Sequence, residues 1–278
     1  MTLTTNVVES YREFLFVKYP THEKKFCNLL KSSPQSAKAE AVIFQLLRLL
    51  FDDVVVAEDI STGGADFLCR ADEMELIAEV TCLEAESVTK QSGWENSIPE
   101  DGSAGWFRMI THKVRGKAST KASQLSGYTA SRVLVISCEH IASDVLIGPH
   151  GAEVFFTGQP RIAVPIGDPI DSINTVTDLR DSIFFDVNDG VVEPGRQSIS
   201  ATLLVSVFAH DASVVGILHP HPQIPLPVSL FPSAPFLRMR KGPPTEMEIE
   251  TEWVAHKPNP WRYYHNPVVL KDSELRDT

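Results

Sequence analysis

The chain has few cysteines, no long apolar run and no excess of basic residues. No Cys-x-x-Cys pair occurs, which argues against a zinc knuckle and a disulfide framework. The four cysteines are Cys27, Cys69, Cys82 and Cys138. No apolar run is long enough to span a membrane and no signal-peptide pattern begins the chain, so we expect a cytoplasmic protein without a membrane partner. The formal net charge of −11 argues against non-specific coating of nucleic acid, because affinity for a polyanion comes from basic surface.

Length and composition predict one elaborated domain, or a domain with extensions. The 278 residues, 43% of them hydrophobic, are enough to bury a large core. We divide the chain into an N-terminal helical segment (1–32), a core (33–150) and a β-rich extension packed on the same core (151–278). The first segment contains two predicted helices, 7–19 and 22–31. The extension contains four apolar runs typical of strands, at residues 152–156, 161–166, 199–208 and 213–218.

Two acidic residues lie in a predicted hairpin. Two short strand-like runs are separated only by residues 71–74. A four-residue loop there would pair Arg70 with Glu75, and counting back along both strands places Asp66 opposite Glu79. Like charges directly opposite each other destabilise a sheet. The pair is therefore either a solvent-screened hairpin edge or a site for a hard metal ion.

Glu40 is a third candidate acid, on a helix predicted over residues 36–51 with Ser36 as its N-cap. The apolar face of this helix comprises Ala37, Ala41, Phe44 and Leu47. Glu40 lies on the same face. Burying an unpaired carboxylate costs on the order of several kcal/mol, so its position suggests that it is directed at the same point as Asp66 and Glu79. The alternative is a first-turn acid favoured by the helix dipole.

One stretch of this acidic chain is clearly basic. From Trp106 through Arg132 there are six Lys or Arg residues and no Asp or Glu. A helix is predicted over residues 106–125, and one stripe of it carries Lys113, Lys117, Lys121 and Gln124. Beside a carboxylate cluster such a stripe suits phosphate binding, whereas a lysine run by itself usually marks a solvated helix face.

The order of these segments resembles the PD-(D/E)xK nuclease superfamily, which has the restriction-endonuclease-like fold. The match consists of a helix with Glu40, a strand, a strand with Asp66, a strand with Glu79, the basic helix and an apolar strand at 132–138. It covers residues 36–138 and implies a mixed α/β fold with an αβββαβ core, in which Glu40, Asp66 and Glu79 are catalytic and bind Mg²⁺ or Mn²⁺. The carbonyl of Val80 is a further implied metal ligand beside Asp66 and Glu79. Residues 124–128 are also similar to a Gln-x-x-x-Tyr element of some exonuclease-type and resolvase-type members.

The sequence departs from the family pattern at Thr81, where the family has lysine two residues after the strand acid. Some members that lose this lysine supply one from the neighbouring helix, and Lys113 or Lys117 are the candidates here. Thr81 shares a strand face with Glu79, so it would still line the pocket. The candidate catalytic residues are therefore Glu40, Asp66, Glu79, Thr81, Lys113 and Lys117. The candidate nucleic-acid-binding residues are Lys113, Lys117, Lys121 and Gln124.

The resemblance implies a magnesium-dependent phosphodiesterase that cleaves nucleic acid, and we expect DNA rather than RNA. The alternative is a catalytically degenerate nuclease fold that acts as a nucleic-acid-binding, protein-binding or assembly module. A homodimer or a protein partner is left open by the sequence.

Two further groups of residues have competing interpretations. A transition-metal site would be formed by His210, His219 and His221. No partner acid is fixed by spacing, and two of these histidines lie in a proline-rich tract, which argues against the site. A long loop is predicted over residues 86–105; Trp94 lies within it and Trp106 directly follows it. Their rings would either stack on bases or anchor the loop to the core.

Overall fold

The computed structural model describes residues 3–61, 63–97, 108–163, 174–208, 211–246, 248–256 and 268–269. These residues form a mixed α/β structure built on one large sheet. The helices are α1 (Leu3–Lys18), α2 (Pro20–Ser32), α3 (Pro34–Leu50), α4 (Ala85–Ser92), α5 (Thr111–Leu125), α6 (Ser143–Leu146) and α7 (Pro149–Thr157). None of the helices in these ranges is both long and apolar enough to cross a membrane.

The strands of the large sheet follow the order β1-β2-β3-β4-β9-β10-β11-β12-β13. They are β1 (Asp53–Val56), β2 (Phe67–Ala71), β3 (Met74–Leu83), β4 (Ser131–Cys138), β9 (Ala201–Phe208), β10 (Asp211–Leu218), β11 (Phe236–Thr245), β12 (Glu248–Ala255) and β13 (Val268–Val269). Two small sheets pair β5 (Arg161–Ala163) with β6 (Asn174–Val176) and β7 (Phe185–Asn188) with β8 (Val191–Pro194).

In chain order, α3, β1, β2 and β3 are followed by α4, α5 and β4, so a further helix separates β3 from the basic helix. β2 pairs antiparallel with both β1 and β3, whereas β3 pairs parallel with β4. β4 then pairs parallel with β9, so the strands of the C-terminal half continue the sheet that the first half begins.

Each face of the sheet carries its own hydrophobic core, because successive side chains of a strand point to opposite faces. Leu76 and Ala78 of β3 pack with α1, α2 and α3 in one core. Ile77 packs with α5 and α7 in the other. The predicted apolar face of α3 is confirmed, since Ala37, Ala41, Phe44 and Leu47 are all buried.

The hairpin register is confirmed, with Arg70 paired to Glu75. The loop is shorter than predicted, because Ala71 and Met74 also pair and leave a two-residue turn. Asp72 in this turn has φ +51°, a left-handed conformation that aspartate tolerates better than most residues. The β2–β3 ladder ends at Phe67 and Ala78, one residue before Asp66 and Glu79.

Several predicted elements were wrong. Residues 152–156 belong to helix α7, which begins at Pro149 directly after Gly148; a short apolar run does not distinguish a buried helix from a strand. The loop predicted from residue 86 begins instead with α4, which ends at Gly93 in the left-handed conformation favoured after helices. α3 begins at Pro34, so its N-cap is Ser33 rather than Ser36. Proline favours the first helical position because its missing N–H is not needed there.

Candidate active site

A notch in the sheet lies where β2 ends and β3 continues. β3 keeps its pairing with β4 as far as Leu83 and Cys138, but its pairing with β2 stops at Ala78. Two residues beyond Ala78, the backbone N–H of Val80 donates a hydrogen bond to Asp66 Oδ2 at 2.7 Å. The Asp66 carboxylate thus accepts the hydrogen bond that a backbone carbonyl of β2 would accept if the ladder continued. β3 is therefore not paired with β2 from Glu79 onward.

The notch forms a cavity of about 280 Å³ between the helices of the two sheet faces. Most of the predicted site residues line it: Glu40, Asp66, Glu79, Val80, Thr81, Lys117, Lys121 and Gln124. Lys113 is not among the lining residues, because its Nζ is hydrogen-bonded to Ser87 Oγ of α4.

Glu79 is the most buried acid of the cavity, with 2% of its surface exposed. Its Oε1 accepts a bond from Lys121 Nζ at 2.5 Å, while Oε2 has no hydrogen-bond partner among the described residues. Burial raises the pKa of Glu79, and the ammonium group of Lys121 partly opposes this. A buried carboxylate oxygen without a donor is costly, so a cation or a proton is favoured at this point.

Asp66 has a pKa well above its ordinary value, first because of burial and then because of the charges of Glu79 and Glu40. The N–H of Val80 opposes this shift by bonding the charged form. The charges of Glu79 and Glu40 thus disfavour ionisation of Asp66, the effect expected of like charges placed close together.

Glu40 extends from α3 into the cavity and accepts a hydrogen bond from Tyr11, a residue that was not predicted from the sequence. The Tyr11 hydroxyl donates to Glu40 Oε1 at 2.7 Å. Burial raises the pKa of Glu40 to about 7, although the bond from Tyr11 favours the charged form. Tyr11 and Leu15 are buried four residues apart on α1, and this helical spacing is the signal that α1 packs inward.

No protein-family model, curated protein or solved structure was found to match this chain. The arrangement of the side chains therefore carries the functional argument. Within the described ranges no group of three or more His, Cys, Asp or Glu side chains is arranged to hold a metal ion. Asp66 and Glu79 are the acids that could hold a hard cation as a pair, since both line the cavity and Glu79 Oε2 has no partner among the described residues.

The basic stripe of α5 meets the acids through its C-terminal half. Lys121 contacts Glu79, Lys117 and Gln124 line the cavity, and Lys113 lies beyond it. Residues four apart on a helix are separated by about 6 Å along its axis, so the predicted stripe is longer than the site. The lysine beside the strand acids is Lys121, rather than the Lys113 or Lys117 considered from the sequence.

Tyr128 fixes the backbone that leads into Asp66. Its hydroxyl accepts a hydrogen bond from the N–H of Ala65 at 2.9 Å. Gly64 has φ +134°, and a Cβ at this position would lie 2.8 Å from the same hydroxyl oxygen. The Gln124-x-x-x-Tyr128 segment thus contributes one residue to the cavity and one to the support of β2.

A second group of cavity residues, on α2 and after β1, was missed by sequence reasoning. Lys25 Nζ forms an ion pair with Glu58 Oε1, and His22 Nε2 lies 2.8 Å from the backbone oxygen of Glu58. All three residues line the cavity. Their contacts join segments more than 30 positions apart, and neither segment has a distinctive pattern.

The competing sites have structural roles where the structure describes them. His219 is buried with its Nε2 2.7 Å from the oxygen of Gly195, and burial lowers its pKa to about 4. The carbonyl of Trp94 bonds the ring of His140. His210 and Trp106 lie outside the described residues.

Proposed function

We propose that this protein is a metal-dependent phosphodiesterase with a restriction-endonuclease-like core, acting on nucleic acid. The observation that carries the proposal is the buried Glu79 carboxylate. Besides burial, its charge raises the pKa of Asp66. Glu79 Oε1 is hydrogen-bonded to Lys121, and Glu79 Oε2 has no donor among the described residues. Two carboxylates with raised pKa values beside lysines in one cavity suit a reaction that binds a cation and a phosphate together.

Asp66, Glu79 and the carbonyl of Val80 are the groups that would hold Mg²⁺ or Mn²⁺, since all three offer oxygen ligands. When bound, the ion would supply Lewis acidity toward a phosphate oxygen and lower the pKa of a water molecule. Lys121 and Lys117 would bind the non-bridging oxygens of the phosphate. Their charge stabilises the transition state where negative charge accumulates.

Glu40 is the proposed general base. A pKa of about 7 lies near the operating pH, where a base is both available and strong enough to take a proton. Tyr11 occupies Oε1, which leaves Oε2 to accept the proton of the attacking water. Thr81 cannot replace the family's lysine because a hydroxyl carries no charge, and we assign that role to Lys121.

The test compares the parent with Asp66→Asn, Glu79→Gln and the exposed control Glu73→Gln. Mg²⁺ should raise the melting temperature of the parent and control by about 5 °C once it is roughly 100-fold above its Kd. Asp66→Asn should abolish this rise, and Glu79→Gln should slow cleavage of labelled DNA or RNA by about 100-fold or more. A parent that neither responds to metal nor cleaves any strand offered would overturn the proposal.

A binding module is the second candidate, favoured by Thr81 in place of lysine and by the Lys121 ion pair that already satisfies Glu79 Oε1. Thr81→Lys separates the two. If the parent binds nucleic acid without cutting it and Thr81→Lys cuts, the chain is a degenerate member whose function is binding. If the parent cleaves nucleic acid, the replacement of the family's lysine by Thr81 does not abolish catalysis.

A further inference from the structure

The cavity has two basic walls that come from opposite faces of the sheet. α2 packs with α1 and α3 in one core and contributes His22 and Lys25, whereas α5 packs in the other core and contributes Lys117 and Lys121. The acids lie between these walls, where β2 has ended. A polynucleotide backbone bound over Glu79 therefore has cationic side chains on both sides.

The α2 wall is fixed in place, yet its lysine is available. His22 bonds the backbone of Glu58, so α2 and the segment after β1 are joined independently of Lys25. The Lys25 side chain is 55% exposed. Its partner Glu58 is only 20% exposed, but a pair whose lysine is open to solvent is worth little, on the order of 1 kcal/mol. A phosphate can therefore compete with Glu58 for Lys25.

The floor of the cavity is recessed, a shape that favours a flexible strand over a rigid duplex. Glu79 is almost fully buried, and helices border the notch on both sides. B-form DNA is stiff over about 150 base pairs, and bending a site sharply costs on the order of 1–6 kcal/mol. A single strand bends freely, so it can bring one phosphate down to the acids while its neighbours stay at the rim.

The number of cationic groups leads to the same conclusion. Among the residues that the structure describes, three lysines line the cavity, Lys25, Lys117 and Lys121, in a chain of net charge −11. Tight duplex binders commonly neutralise about 6–10 phosphates. Three contacts are few for a duplex but sufficient to hold a short run of single strand at a concave site.

We infer that the substrate is a single-stranded polynucleotide whose backbone passes between α2 and α5, with Lys25 binding a phosphate on the wall opposite Lys117 and Lys121. The inference rests on the proposed function and adds to it the substrate class and a second phosphate-binding residue. Lys25 lies about 90 positions from the basic stripe, outside the segment to which the sequence resemblance extends.

Binding by the full chain carrying Glu40→Gln tests the inference, because this change removes the proposed base and leaves Asp66 and Glu79 intact. Fluorescence anisotropy with Mg²⁺ compares a labelled strand of about 12 nucleotides with the same strand in a duplex. We expect the strand to bind about tenfold tighter, with a plot of log K against log salt of slope about −2, which corresponds to three phosphates at about −0.7 each.

Lys25→Ala is compared with Lys24→Ala, an exposed neighbour on the same helix that does not line the cavity. Lys25→Ala should weaken single-strand binding by about fivefold and reduce the salt slope by about 0.7, while Lys24→Ala leaves both unchanged. Melting curves of both variants show whether each is folded, and Lys25→Gln replaces the alanine variant if that one is not.

Equal binding of strand and duplex would overturn the inference, as would Lys25 variants that behave like Lys24→Ala. In either case cleavage by the parent that still depends on Glu79 would leave the phosphodiesterase proposal standing. Failure of the parent to respond to metal, to bind and to cleave would overturn both proposals.

Discussion

Tyr11 and Glu40 form a single hydrogen bond that connects the N-terminal helix to the cavity. The donor is a buried phenol and the acceptor a carboxylate whose pKa burial has raised to about 7. The bond favours the charged form of Glu40, and in turn burial and this carboxylate raise the pKa of Tyr11 well above its ordinary value. In the proposed reaction Tyr11 is thus a positioning residue, which would act through the carboxylate that it holds.

Tyr11→Phe should shift the pH–rate profile. Loss of the donor removes the interaction that lowers the pKa of Glu40, so the acid limb of the profile should move to higher pH. The free energy of unfolding should fall by about 1 kcal/mol, as for one lost hydrogen bond. Rates measured across pH and urea titrations check both expectations. Tyr19→Phe, which removes a hydroxyl outside the cavity, serves as the control, and a rate lowered equally at every pH would contradict the positioning role.

At the level of single elements, periodic patterns were predictable and contacts between distant segments were not. The register of β2 with β3 and the inward face of α3 follow from periods of two and 3.6 residues. α4 and α7 were missed because eight and nine residues are too few to show a helical period against a polar or a uniformly apolar background. Asp66 and Glu79 were found because they are close in sequence. Tyr11 and Lys25 were not, because each contacts an acid far away along the chain, Glu40 and Glu58 respectively.

Two glycine substitutions should have opposite effects on stability. Gly64→Ala places a methyl group 2.8 Å from the Tyr128 hydroxyl at φ +134°, so it should destabilise the segment before β2 by about 1–3 kcal/mol. Gly116→Ala meets no atom within 4 Å and lies inside α5, so it should stabilise by about 0.5–1 kcal/mol. Denaturant unfolding measures both, and equal effects would show that the backbone at Gly64 is not constrained as described.

For the whole molecule, the cavity lowers stability at neutral pH. The folded-state pKa of Glu40 is about 7, against an ordinary value of 4.5, so between these values the folded chain holds a proton that the unfolded chain has released. The stability contributed by this group is complete below pH 4.5 and is lost as the pH rises through about 7. Burial raises the pKa values of Asp66 and Glu79 as well, so their contributions decrease with pH in the same direction.

Glu40→Gln should therefore stabilise the metal-free protein more at high pH than at low pH. Glutamine stays neutral and can still accept the bond from Tyr11, so its melting temperature relative to the parent should increase from about pH 5 to about pH 8. Calorimetry in the presence of a chelator measures the difference. The Glu73→Gln control should show no such trend. If the difference in melting temperature between Glu40→Gln and the parent does not change with pH, Glu40 ionises in the folded protein as it does in water.

The bond from Val80 to Asp66 also bears on how the sheet edge is protected. A strand with unpaired N–H groups on one side can be extended by a strand of another molecule. β3 would offer such an edge from Glu79 onward, but the Asp66 carboxylate has taken its first free donor, and the cavity beyond it lies between α2, α3 and α5. We therefore expect that replacing Asp66 with a side chain that lacks a hydrogen-bond acceptor, as in Asp66→Ala, makes the protein self-associate during refolding, which light scattering would measure.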